Sequence, residues 1–399
     1  MTVLSVIHAY PAAHNPGMAS VDLAAHRLLG RACPGATLRS FVLGDPSPIE
    51  ETDPGHPLRY LPLQGHLDAV LGSDAILYWG DFLHADTYIE RDLAARLIAH
   101  GLASSRDEAR SLAYRHHLLE GAPRAMKEKV LVFGGTLITN DIRSRGGRRY
   151  TEALQELLAS ARGVWFRDPF SAAYAAPLRP GRQTLGVDPA FLLGSDGWGN
   201  WAPPREGPRT GGVALFCGRN RSAWPVHFLA RGLARRLREP LTWIHWFPPN
   251  RNRYGAFFRL TGFHRGYRPR PVEEILSDLA RYRCIVTDTY HLCVNAWRQG
   301  VPAICVGRGA DRNVGTVSDG KKRALYALYG AMDFYVFEGE IRGPRALRWT
   351  AARVAEAAAD RDRVGEVHAA MGAHARQARA ALLEGLRGLV RSPAAGFGS

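Results

Sequence analysis

Two periods of apolar spacing take turns along this chain. Short apolar runs at Val3–Ile7, Ala75–Trp79, Val130–Phe133 and Val164–Phe166 read as buried strands. Between them, apolar residues recur every three or four positions over Met18–Leu29, Asp86–His100, Arg106–Leu119 and Tyr150–Ala161, the spacing of amphipathic helices. Asp168-Pro169 opens a further helix, with Asp as N-cap and Pro at the first helical position. The Gly/Pro-rich stretch Gly194–Gly212 then interrupts the pattern, which resumes afterwards. Strands are expected at Val213–Phe216, Leu241–Trp246, Cys284–Thr287 and Pro302–Val306. Helices are expected at Val226–Leu237, Val272–Tyr282 and His291–Arg298, followed by long helices at Pro344–Ala359 and Val364–Val390. Strand–helix alternation predicts an α/β protein of mostly parallel sheets. The expectation is two Rossmann-like domains, an acceptor side at 1–196 and a donor-binding side at 212–399, joined by a linker at 197–211. The C-terminal helices close on the core.

Composition narrows the partners. The formal net charge is +15, and only four of the 52 basic residues are lysines. The arginines are spread along the sequence with no run of like charge, which argues against a nucleic-acid partner and suits a small anionic substrate. No apolar run reaches the roughly 18–20 residues of a membrane span, and the N-terminus lacks the basic start of a signal peptide. The five cysteines are odd in number and form no C-x-x-C pair, so reduced, buried thiols in a cytoplasmic setting are expected. No metal-ligand spacing, P-loop or G-x-G-x-x-G fingerprint is present, so neither a metal nor a cofactor is expected. Oligomeric state leaves no mark on the pattern.

In parallel sheets, ligands sit beyond the carboxyl ends of the strands. The turn Asp288-Thr289-Tyr290-His291 stands there, at a helix start that favours anions. His291 is the candidate acid/base. The turn Gly218-Arg219-Asn220-Arg221 offers close backbone approach and two guanidinium groups for a phosphate. The loop Ser318–Arg323 holds Lys321 and Lys322, half of the lysines, as further donor ligands. On the N-terminal side, Asn15, His84 and Asp141 are candidates for the acceptor, and Asp81 for a second general base.

The segment VTDTYHLCVNAWRQGVPAICVG, Val286–Gly307, resembles the polysaccharide pyruvyl transferase family, in which a strand runs into S-T-R-L-H-A, a helix, G-V-P and a strand. FRDPFSAAYA (Phe166–Ala175) is similar to the family's R-D-x-x-S motif, and GVDPAFLL (Gly186–Leu193) to its D-P-A-F segment. The resemblance implies a GT-B-like fold and transfer of a pyruvyl group from phosphoenolpyruvate onto sugar hydroxyls as a ketal. It maps the family histidine onto His291 and the arginine of R-D-x-x-S onto Arg167. One position departs: the family arginine two residues before the histidine is Thr289 here. Loss of that guanidinium turns the sequence reading first towards glycosyl transfer from a nucleotide-sugar, with pyruvyl transfer from phosphoenolpyruvate second and a non-catalytic nucleotide- or sugar-binding protein third. In each case donor and acceptor are small molecules.

Overall fold

The structure, a computed structural model, describes residues 1–9, 15–44, 58–138, 147–194, 201, 210–218, 223–246, 251–263, 270–308 and 319–390, without the side chains of 251–253. Its first sheet contains β1 (Val3–His8), β2 (Thr37–Val42), β3 (Tyr60–Pro62), β4 (Ala75–Trp79), β5 (Val130–Phe133) and β6 (Gly163–Trp165). Helices α1 (Pro16–Ala32), α2 (Leu67–Leu71), α3 (Ala94–Ala99), α4 (Arg106–His117), α5 (Arg124–Lys127), α6 (Gly147–Ser160) and α7 (Pro169–Ala175) surround it. The second sheet contains β7 (Val213–Phe216), β8 (Leu241–Trp243), β9 (Cys284–Thr287), β10 (Ala303–Gly307) and β11 (Tyr335–Phe337). Its helices are α8 (Trp224–Leu237), α9 (Arg251–Thr261), α10 (Val272–Asp278), α11 (Tyr290–Arg298), α12 (Gly320–Leu328), α13 (Pro344–Ala359) and α14 (Arg361–Arg387).

Every strand pair is parallel. The first sheet runs β3-β2-β1-β4-β5-β6 and the second β11-β10-β9-β7-β8. Both orders reverse direction once, between β1 and β4 and between β7 and β9, and such switch points open a crevice at the strands' carboxyl ends. Three of the first sheet's strands, β4, β5 and β6, are buried along their whole length and carry no polar residue but the tyrosine hydroxyl and the tryptophan N–H groups. Tyr78, Trp79 and Phe133 are nearly inaccessible, with the Trp79 and Phe133 rings stacked at 5.1 Å.

Several elements escape the apolar pattern. In β2, TLRSFV carries polar residues on a half-buried strand. β3 and β11 are three residues long, and α9 lies in a run that mixes aromatic residues with Arg251, Asn252, Arg253 and Arg259. The helix expected at 86–100 is broken: residues Tyr88–Leu93 form a π-helix before α3. Most of the Gly/Pro-rich linker lies outside the described residues. The end of the chain returns to the first half. Gly385 of α14 sits where a Cβ would come within 2.9 Å of the Trp165 ring and 3.2 Å of Leu131, so this helix covers β5 and β6. Among the described residues no helix is long and apolar enough to cross a membrane, and Cys217, Cys284, Cys293 and Cys305 are buried thiols.

Candidate active site

α11 carries His291 at the seam between the two sheets, and three contacts fix it against the first half. Asn295 donates its side-chain N–H to the Ser20 hydroxyl at 2.9 Å. The Arg298 guanidinium donates to the Leu193 carbonyl. Gly17, in the first turn of α1, lies so close that a Cβ there would be 2.5 Å from the His291 Cβ. Asn15 is spent as the N-cap of α1, accepting from the Gly17 N–H at 3.1 Å, at the edge of the same seam.

Behind His291 lies a buried charge cluster. Arg167, which follows β6, bonds Asp188 at 2.8 Å and Asp81 at 3.3 Å. Its side chain is 1% exposed, that of Asp188 0% and that of Asp81 17%, so Asp81 alone of the three reaches outward. Burial works against the Arg167 charge, but the carboxylates Asp188, Asp81 and Asp168 favour it, and the net shift of its pKa is upward. Two successive left-handed residues, Gly80 (φ 74°) and Asp81 (φ 49°), turn the chain after β4; Asp tolerates that conformation better than most side chains. Asp188 is held by the Ala190 N–H at 3.0 Å and by Pro189, which seats on Gly134 where a Cβ would lie 2.3 Å from the proline ring. The His291 Nδ1 stands 3.9 Å from the Asp188 carboxylate, which Arg167 holds from its other side.

In front of the cluster stand two rings, Phe82 from the first half and Tyr290 from the second. The Arg167 guanidinium lies 5.5 Å from the Phe82 centroid and 5.0 Å from that of Tyr290. The Lys321 ammonium lies 4.5 Å and 5.3 Å from the same two rings. Burial and Asp188 push the Tyr290 phenol well above its usual range, so it stays neutral.

The remaining candidates divide. Asp288 is fully buried and ties two turns together, accepting from the Gly218 N–H at 2.8 Å and the Thr289 hydroxyl at 3.2 Å. Thr289 is the N-cap residue of α11, without a side-chain capping bond. Lys322 points inward, paired with Asp319 and donating to the Asp288 carbonyl at 2.9 Å, so the two adjacent lysines have different surroundings. His84 is turned into the first half's core, 2% exposed against the Tyr78 ring, and burial pushes its pKa down to about 3. It is not brought to the seam. Arg219, Asn220, Arg221, Asp141 and Ser318 lie outside the described residues. Among the described residues no group of three His, Cys, Asp or Glu side chains could hold a metal ion. Reading the residues one turn at a time misses Phe82, Gly17 and Asp188. Arg167 enters only through the resemblance, although R-D-P stands just past the end of β6.

Several solved structures are similar to the chain at low identity. The Staphylococcus aureus MnaA–UDP co-structure is 11% identical with a TM-score of 0.49, covering 93% of this chain and 91% of its own. UDP-GlcNAc 2-epimerase from Neisseria meningitidis bound to UDP-GlcNAc is 11% identical with a TM-score of 0.48, covering 97% and 99%. No curated protein matches the chain significantly in sequence. The family description "Polysaccharide pyruvyl transferase" matches residues 48–309, more than half of the chain and a span that includes Asp81, Arg167, Asp188 and His291. The chain therefore belongs to the polysaccharide pyruvyl transferase family and is a carbohydrate-modifying transferase.

Proposed function

We propose that the protein transfers a pyruvyl group from phosphoenolpyruvate to paired hydroxyls of a carbohydrate acceptor. The observation that carries this reading is the sharing of the Phe82 and Tyr290 rings by two cations from opposite halves, beside the His291–Asp188 pair. Arg167 lies behind the rings and supplies field. Lys321 is partly exposed and would contact the donor. It would meet the anion need that Thr289, a neutral residue, leaves open.

The chemistry needs a proton at C3 of the enol and a proton taken from each attacking hydroxyl. Protonation of C3 leaves C2 electron-poor. One acceptor hydroxyl bonds to C2, the C2–O bond to phosphate breaks, and a second hydroxyl closes the ketal. Of the two hydroxyl protons, one balances the proton placed on C3 and the other leaves on the departing phosphate, so the products are the pyruvyl ketal and hydrogen phosphate, with no water consumed. His291, backed by the Asp188 carboxylate, is the proton carrier. Asp81, the one member of the buried charge cluster that reaches outward, would take the proton of the second hydroxyl.

Glycosyl transfer from a nucleotide-sugar is the second reading. The switch point between β7 and β9 on the donor-binding side favours it, because nucleotides commonly bind at such points in parallel sheets. Incubating the protein with simple glycoside acceptors separates the two. Acceptor-dependent release of phosphate from phosphoenolpyruvate is expected. Release of nucleoside diphosphate from a UDP-sugar, with phosphoenolpyruvate inert, reverses the order.

A further inference from the structure

The arginines that look scattered in sequence are gathered by the fold. α8 and α13 pack side by side on the second sheet. A Cβ on Gly232 would lie 3.1 Å from that of Ala351, and the Arg236 guanidinium reaches the Arg348 carbonyl at 3.4 Å. Their outer faces expose Arg231, Arg235, Arg236 and Arg238 from α8 and its C-cap, and Arg345 and Arg348 from α13. The acidic groups nearby are few. Glu340 pairs with Arg353 at 2.8 Å and Glu239 with Arg283 at 3.6 Å, leaving Glu338, Glu356 and the α13 C-cap Asp360 to offset six exposed arginines.

Large apolar side chains stand out from the same region. Trp349 on α13 is 63% exposed and Phe228 on α8 is 45% exposed. Phe228 stacks on Trp224 at 5.7 Å, Trp224 meets Phe257 of α9 at 5.1 Å, and one turn further along α9 Leu260 is 77% exposed. Because α8 starts at the carboxyl end of β7, Phe228 stands at the cleft end of the patch.

We propose that this face of α8, α9 and α13 docks on an anionic lipid surface. Exposed aromatic and aliphatic side chains ringed by arginines match the headgroup–acyl boundary, where the apolar groups are buried and the guanidinium groups meet lipid phosphates. The long arginine stems add apolar contact while their heads stay at the phosphates. A nucleic acid would engage the same charges, but it gives an aliphatic side chain such as Leu260 nothing to stack on. Hydrocarbon buries all three exposed groups.

Flotation of the full chain with vesicles tests this, comparing phosphatidylcholine alone with phosphatidylcholine mixed with phosphatidylglycerol. Binding only to the anionic vesicles, weakening as salt rises, is expected. Each arginine at the surface is worth about fivefold in partition, so Arg235→Glu with Arg348→Glu should lower binding by at least about 25-fold. Phe228→Ser with Trp349→Ser should weaken binding and leave the remainder more salt-sensitive. Arg235 and Arg348 are exposed, so the charge-reversed variant should melt at the wild-type midpoint, whereas Phe228→Ser with Trp349→Ser gives up the Trp224 stack and the Arg353 contact and should melt slightly lower while staying folded. Equal binding to both vesicle types, no flotation with anionic vesicles at low salt, or wild-type binding by the charge-reversed variant would overturn the proposal. So would binding to an oligonucleotide in place of vesicles.

Discussion

Gly17 and His291 meet with no space for a methyl group between them: a Cβ on Gly17 would lie 2.5 Å from the histidine's own Cβ. Gly17→Ala should therefore displace α1 from α11 and shift His291 relative to Asp188. Helix propensity alone would make alanine more stable by about 1 kcal/mol, whereas overpacking costs about 1–3 kcal/mol. The expected result is a lower melting temperature with turnover reduced at least tenfold. A more stable, fully active variant would show that the seam yields at this point.

Arg167 is the counter-charge of two carboxylates. Arg167→Met leaves Asp81 and Asp188 without it, and removing one partner of a buried ion pair costs about 3–5 kcal/mol. Denaturant unfolding should show a loss of that size. Arg167→Lys retains the charge but offers a compact ammonium where a planar fork spans two acceptors, and should fall between.

The adjacent lysines should separate stability from binding. Lys322→Met removes bonds to Asp319 and to the Asp288 carbonyl and should cost about 2 kcal/mol of stability. Lys321→Met should leave the melting temperature unchanged and weaken phosphoenolpyruvate binding at least tenfold by calorimetry. The same loss in both measurements for both variants would give the two residues one structural role.

Acid should destabilise the protein through its first half. Burial lowers the His84 pKa to about 3, whereas the unfolded chain's histidine takes a proton near the ordinary value of about 6.5. Between those values the unfolded state binds more protons, so the contribution is present in full above about pH 6.5 and is lost as pH falls. By pH 5 the loss from His84 amounts to about 2 kcal/mol. His116 and His117, both lowered mainly by burial, add to it in the same direction. Unfolding free energies measured from pH 7.5 to 5 should show the decline, and His84→Phe should flatten it.

The sequence made the strands legible because β4, β5, β7 and β9 are buried on both faces and so read as unbroken apolar runs. β2 was hidden because Arg39 and Ser40 sit on a half-buried face, and β3 because it ends in proline after three residues. The turn 288–291 could be found by its place after a strand. Its inner division could not: Asp288 holds the turns together while His291 faces Asp188, and nothing in their spacing separates those roles. Arg167 and Asp188 are 21 positions apart and meet only because β6 and the turn at Pro189 converge. His84 reads like a cleft residue from its loop, yet its side chain packs inward on Tyr78. Charge was misleading at long range. The arginines of α8 and α13 are separated by a hundred residues and form one face only when the helices pair.

The return of α14 to β5 and β6 bears on how the chain is made. Domains emerging from a ribosome generally fold as units, N-terminal first. Here the face of the first sheet that carries Leu131 and Trp165 receives its cover from residues near Gly385. That face lacks this cover until the residues around Gly385 have been synthesised. The early half therefore completes its core only together with the late one, and nascent chains stalled before residue 361 should present an apolar sheet surface for chaperones to hold.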